Sequence, residues 1–310
     1  MSLRKKAISG TVWIFAQQFG SQGISFLVSI VIARILDPSE FGLIGMIGIF
    51  MALATTLVNS GLAQSLIRTA KPDQEDYSTV FFFNLAMSIL IYIILFLTAP
   101  LIADFYNQEI LTGIVRLYCL SFIINAFSAV QLTRLTKEMN FKVQLLVSLP
   151  SLVFSGIVGI ILAYLDYGVW SLVWMGLAQS FFSTVQIWIR SGWAPSLVFS
   201  KEKFKYHFRF GYNLAISGVL DTIFTNIYQI IIGRFFSPVQ VGFYTRANLL
   251  KQLPVSNITN ALNKVTFPLF ASINDDDVRL KRVYKQTMQM VVFVLSPVMI
   301  FMGGFGRAAF

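Results

Sequence analysis

Four charged side chains, Arg116, Asp221, Arg246 and Lys251, stand inside long apolar stretches of this sequence. Charge at membrane depth is costly, and it is retained where it pairs, lines a wet cavity or does chemistry. Asp221 lies sixteen residues before Ser237, and Lys251 fourteen after it. If the chain turns at Ser237, a rise of 1.5 Å per residue puts both at a depth of roughly 20 Å in an antiparallel hairpin, where they can pair. Three readings stay open. The pair neutralises itself and fixes two helices; or Lys251, Arg246 and Arg116 line a cationic cavity that holds an anionic group, a phosphate above all; or Asp221 is a proton or sodium coupling site. The adjacent lysine argues against the third, because it keeps the carboxylate ionised.

Uncharged polar residues form a second pattern. Gln18, Gln22, Ser25 and Ser29 follow 4-3-4 spacing, which is one helical face, and Thr222, Thr225 and Gln229 repeat three of those positions two hundred residues on. Such stripes either hydrogen-bond one helix to another or line a shared central cavity. Arg34 and Arg234 occupy matching helix C-termini, where a cation suits the helix dipole and anchors the span.

Motifs for enzymatic chemistry are missing from the sequence. There is no Walker loop, no dinucleotide fingerprint and no Cys or His cluster with metal-ligand spacing, so neither a cofactor nor a metal is expected and the chain does not read as an enzyme. The single cysteine, Cys119, excludes an internal disulfide, and the single histidine, His207, falls in a basic connection.

These residues must be positioned by membrane helices. With 56% apolar residues, 12% charged and a mean hydropathy of +0.70, the chain reads as an integral membrane protein. Apolar segments long enough to cross about 30 Å of hydrocarbon fall at 9–33, 41–67, 79–103, 111–133, 143–165, 169–189, 210–233, 240–270 and 286–306. The first runs on through Arg34 with no small-residue cleavage site, so it is read as an uncleaved span and not a signal peptide. Pro254 and Pro268 are expected to bend the eighth span.

Seventeen Lys and Arg residues fall at the N-terminus and in the even-numbered connections, against Arg34 and Arg234 alone in the odd-numbered ones. The positive-inside rule then makes the N-terminus cytoplasmic. That distribution reads as topology and not as affinity for nucleic acid.

Ile32-Ala33-Arg34-Ile35-Leu36-Asp37-Pro38-Ser39-Glu40-Phe41-Gly42-Leu43 returns at Ile232 to Phe243 with Arg234, Pro238 and Gly242 in register, and the acidic cluster Asp73, Glu75, Asp76 meets Asp275, Asp276, Asp277. A register held over about seventy residues implies a duplicated architecture. The expected fold is an all-α polytopic bundle of about nine transmembrane helices in two repeated six-helix lobes, the second truncated. Residues 1–190 form the first bundle, 191–209 a basic cytoplasmic linker, and 210–310 the first three helices of an incomplete second bundle.

The turn sequence Ala33 to Met46, with Asp76-Tyr77-Ser78-Thr79-Val80-Phe81, Pro100 to Tyr106, Gly242-Phe243-Tyr244-Thr245-Arg246-Ala247 and Asp275 to Leu280, resembles the bacterial polysaccharide-export flippases. These belong to the multidrug, oligosaccharidyl-lipid and polysaccharide exporter superfamily. The resemblance implies flipping of an undecaprenyl-pyrophosphate-linked oligosaccharide across the bacterial inner membrane, by alternating access, for lipopolysaccharide, capsule or exopolysaccharide assembly. It implies as partners the lipid-linked oligosaccharide, membrane lipids, and the polymerase and export proteins of the same pathway. Two alternatives are a cation-coupled multidrug antiporter of the same superfamily and a membrane-embedded polymerase or glycosyltransferase of the same pathway.

Overall fold

The computed structural model describes residues 3–59 and 61–248, with scattered positions between 285 and 297. The chain divides into two compact units, residues 1–242 and 243–310. Nine helices can be bounded within the first: α1 (Leu3–Ala33), α2 (Pro38–Asn59), α3 (Leu62–Arg68), α4 (Gln74–Tyr106), α5 (Ile110–Tyr118), α6 (Leu120–Lys137), α7 (Phe141–Tyr164), α8 (Val169–Ser191) and α9 (Lys201–Phe235). Residues 238–248 are also helical, and no strand occurs among the described residues. Among the described residues, seven stretches are long and apolar enough to cross a membrane. They coincide with the first seven spans read from the sequence. The eighth and ninth, with Pro254, Pro268 and Asp275 to Asp277, lie largely outside the described residues.

Two spans are broken where a single helix was expected. Pro38–Arg68 divides into α2 and α3 at Gly61, which adopts a left-handed φ of 67°, and Ile110–Lys137 divides into α5 and α6 at Cys119. Hydropathy registers the length of an apolar run and is blind to a local break within it. Helix boundaries elsewhere follow from capping. Asp73 accepts from the Asp76 N–H at 2.8 Å while Asp76 accepts from the Asp73 N–H at 2.9 Å, a reciprocal box that starts α4. Asn140 caps α7, Ser200 caps α9, and Pro38 opens α2 at a position that needs no N–H.

The two faces of α4 show how the sequence selects a membrane environment. Asn84, Ser88, Ile91, Leu95, Ala99 and Ile102 recur at helical spacing and are buried, whereas Leu90, Ile93, Ile94, Leu97 and Leu101 form an exposed, wholly apolar stripe. In water such a stripe is an aggregation surface; in a bilayer it is the lipid face. The buried face packs on α2, α5 and α6 and contributes to the main apolar core, which includes Met46, Ile47, Leu111, Ile114 and Val173. α7 presents the small residues Ser155, Gly159 and Ala163 at intervals of four, which lets it lie close between α1 and α8.

The duplicated turns meet each other. A Cβ on Gly42 would run into the backbone of Pro238, and a Cβ on Gly242 would run into the backbone of Pro38. Each copy's glycine thus receives the other copy's proline, so the two turns approach backbone to backbone. Through its middle α9 lies against α2, with Thr222 Oγ1 3.0 Å from Thr56 Oγ1 and Gln229 over Gly48, and its N-terminal part packs on α3 and α4. At the end of α9, Arg234 donates to the Phe105 carbonyl at 2.8 Å and stacks on the Phe105 ring, occupying one of the carbonyls that α4 leaves unpaired at its C-terminus.

Gly42→Val is expected to destabilise the protein by about 1–3 kcal/mol, the scale of an overpacked contact. Thermal unfolding of the purified protein in detergent checks this. Gly23→Ala, inside α1 where an added Cβ meets nothing within 4 Å, should not lower the melting temperature and should raise it slightly, because alanine favours the helix.

Candidate functional site

The residues singled out in the sequence are dispersed in the structure. Arg116, in the last turn of α5, donates from Nε to the Phe96 carbonyl at 3.3 Å and sets its guanidinium 4.4 Å over the Phe96 ring, so its charge is directed onto α4. Asp221 is exposed on α9. Arg246 is partly buried in the second unit, and Lys251 lies outside the described residues, as does the proposed Asp221–Lys251 pair. Of the polar stripes, Thr222 and Gln229 are seated against α2, whereas Thr225 is exposed. On α1, Gln18 and Gln22 are half-buried and Ser25 is exposed, and all three lie on a different face from the one that Gly20 and Val28 turn to α7.

What the fold does bring together is a cavity of about 360 Å³ walled by three parallel spans. Met51 and Thr55 come from α2. The break at Cys119 contributes Tyr118 from α5 and Ser121, Phe122 and Asn125 from α6, and the Ser121 hydroxyl donates at 2.7 Å to the Tyr118 carbonyl that the break frees. α8 contributes Gly176, Gln179, Ser180 and Ser183, whose spacing of 0, 3, 4 and 7 is one helical face. These positions lie roughly 10–25 Å along their spans, deep in the hydrocarbon layer of a bilayer. No charged side chain lines the cavity among the described residues. Thr55, Asn125 and Gln179 are exposed there. Polar groups exposed at that depth need water or a polar ligand in front of them, because hydrocarbon cannot satisfy them.

The cavity residues were missed in the sequence, although a signal exists. Gly176, Gln179, Ser180 and Ser183 make a stripe as regular as that on α1, and Ser121 with Asn125 make a one-turn pair.

A second polar centre lies at the end of the bundle that carries the basic connections. His207 is fully buried, with Nε2 3.1 Å from Asp76 Oδ1 and Nδ1 2.8 Å from Ser65 Oγ. A neutral ring satisfies all three groups: Nε2–H donates to the carboxylate and the Ser65 hydroxyl donates to Nδ1. Lys203 adds ion pairs to Asp76 at 3.1 Å and Asp73 at 3.2 Å. The Asp76 backbone N–H, and after it Lys203, favour the ionised form of Asp73 and hold its carboxyl below the usual range.

These residue types match a hydrolytic triad, but Ser65 is itself buried, so the cluster joins α3, α4 and α9 and offers no face to a substrate. The stretch before α9, read from the sequence as a basic linker, is docked on α4. Trp193 donates to Gln74 Oε1 at 2.6 Å, Gln74 donates to the Ala194 carbonyl at 2.8 Å, and the Ser200 N–H donates to Thr79 Oγ1 at 3.1 Å. Lys137 donates to the carbonyls of Leu66, Ile67 and Thr69 at the C-terminal end of α3.

Lipid-facing helices around an uncharged polar cavity define a polytopic α-helical membrane protein. The chain belongs to the polysaccharide biosynthesis protein family, whose match covers residues 31–308. It is 25% identical over 93% of its length to the succinoglycan biosynthesis transport protein ExoT of Rhizobium meliloti. It is 24% identical over 97% to the lipopolysaccharide biosynthesis protein WzxC of Escherichia coli, and 26% over 96% to the teichuronic acid biosynthesis protein TuaB of Bacillus subtilis. The matches cover 58%, 61% and 62% of those relatives, so the chain spans about three-fifths of their length. No solved structure matches the chain.

His207→Ala leaves Asp76 Oδ1 and the Ser65 hydroxyl without a partner in a buried site, and each stranded atom costs about 1–3 kcal/mol. Lys203 is one-third exposed, so Lys203→Ala should cost well under half as much. Thermal unfolding of the two variants side by side checks the order. Because the folded Asp73 carboxyl is depressed, its contribution is fully present above the ordinary value of about 3.9. It should fade as pH falls through the lower folded value, and Asp73→Asn should remove that part of the acid sensitivity.

Proposed function

We propose that the protein moves an undecaprenyl-pyrophosphate-linked oligosaccharide from the inner to the outer leaflet of the bacterial inner membrane by alternating access, for assembly of lipopolysaccharide, capsule or exopolysaccharide. The observation that carries this reading is the open polar cavity at membrane depth, walled by helices whose outer faces are apolar. A saccharide needs such a polar route across hydrocarbon, while its lipid tail stays in the bilayer. The family and the relatives supply the chemistry: one relative is named for succinoglycan transport, and the others for biosynthesis of lipopolysaccharide and teichuronic acid. Those three polymers differ, so the names of the relatives do not single out one sugar for this chain.

Residues 1–190 act as the first lobe and those from 210 onward as the start of the second, joined by the docked segment 191–209. Arg246 and Lys251 are the candidates for the pyrophosphate, and Asp221 is the candidate for an ion pair or a coupling site. Arg116 serves this role only after leaving Phe96. The distribution of Lys and Arg favours a cytoplasmic N-terminus. The protein transports and does not catalyse bond chemistry; the polymerase and export proteins of the same pathway are its expected partners. The names of the relatives favour this reading over a multidrug antiporter or a glycosyltransferase.

In proteoliposomes, a version of the chain extended to complete the second repeat should carry a fluorescent undecaprenyl-pyrophosphate oligosaccharide to the opposite leaflet. Lys251→Ala should lower that rate about tenfold or more while inserting normally. Normal flipping by the variant would make Lys251 structural, and transport of drug cations in place of the lipid would sink the assignment.

A further inference from the structure

We infer that the cavity between α2, α6 and α8 is a subsite for an uncharged sugar ring, separate from whatever holds the anionic group of the substrate. This inference rests on the flipping reading for the presence of a lipid-linked saccharide, and deepens it by dividing the substrate between two places. The first support is unused hydrogen-bonding capacity. Asn125 and Gln179 each carry a two-proton amide and a carbonyl, and Ser180 and Ser183 each carry a hydroxyl. None of the four side chains has a hydrogen-bond partner among the described residues. A hydroxyl-rich ligand offers donors and acceptors in alternation, and it can bond these groups directly or through water.

The second support is the charge balance. Four amide and hydroxyl side chains are joined by Tyr118 and Phe122, and no cation lines the wall among the described residues. A pyrophosphate placed here would lose its hydration and gain no countercharge, which is strongly unfavourable. A pyranose loses less, and its C–H face can lie on the aromatic rings. Arg116, the cation of this bundle nearest in sequence to the lining, is already held by the Phe96 carbonyl and ring.

Size is the third support. At about 360 Å³ the cavity lies at the low end of the roughly 300–1,000 Å³ range of small-molecule sites, which suits a sugar ring and not a prenyl chain.

Binding to the extended protein in nanodiscs tests this with two probes that differ only in the sugar: undecaprenyl pyrophosphate bearing one N-acetylglucosamine, and bare undecaprenyl pyrophosphate. The glycosylated lipid should bind about tenfold more tightly, the scale of two hydrogen bonds. Asn125→Ala/Gln179→Ala should erase that preference and leave the affinity for the bare lipid unchanged. Ser183→Phe, which fills the cavity without removing either amide, should do the same. Preference that survives both variants, or equal weakening of both probes, overturns the subsite. Lipids that bind alike and are still flipped overturn the subsite and leave the transport reading standing, whereas lipids that neither bind nor cross overturn both. Millimolar binding of free N-acetylglucosamine that the double variant abolishes, with no preference between the lipids, assigns the cavity to a soluble saccharide and overturns the lipid-linked proposal.

Discussion

Hydrocarbon offers no hydrogen bonds, and that constraint sorts the polar side chains of the described spans. One group is paired within the protein: Thr56 with Thr222, Gln186 with Ser151, and Thr184 with the Ile124 carbonyl. The other group, Asn125, Gln179, Ser180 and Ser183, opens into a common cavity, beside Thr55, whose hydroxyl already donates to the Met51 carbonyl. The first kind joins helices and the second defines a place for something polar. The same constraint explains why the lipid-facing stripe on α4 is wholly apolar, whereas on its buried face Asn84 Oδ1 and Ser88 Oγ have no hydrogen-bond partner among the described residues.

The duplicated turns supply the geometry around which these helices are arranged. Glycine at 42 and 242 permits two backbones to approach more closely than any side chain allows, and proline at 38 and 238 starts the helix that follows. Reciprocal packing of this kind is what an internal two-fold relation produces, since the same residue must play the same part against its counterpart. At the opposite end of α9, the Asp76–His207–Ser65 cluster supplies a directional, polar attachment. α9 is therefore held to the first six spans by close backbone contact at one end and by buried hydrogen bonds at the other. Between the two ends lie the weaker Thr56–Thr222 contact and apolar packing.

Much of this arrangement was legible in the sequence, because span length and charge alternation are long-range properties that survive without tertiary information. The first seven spans, the turn motifs and the helix-terminal position of Arg234 all follow from composition and spacing. Breaks at Gly61 and Cys119 were not legible, because an apolar run looks the same whether or not one peptide unit departs from the helix. His207 read only as part of a basic connection; its partners Asp76 and Ser65 are more than 130 residues away in sequence. The stripes on α1 and α9 were visible as periodicity, yet periodicity does not say which neighbour a face meets. Thr222 proved to face α2, and the stripe on α8 proved to face the cavity.

Water access to the cavity is the most direct test of the central claim that its polar wall faces water or a polar ligand and not lipid. In a Cys119→Ala background, single cysteines at Ser183 and at Leu97, on the exposed apolar stripe of α4, would be treated in native membranes with a small, water-soluble maleimide. Rapid labelling at 183 with protection at 97 is the predicted result. Protection of both, or labelling at 97 alone, would contradict the account.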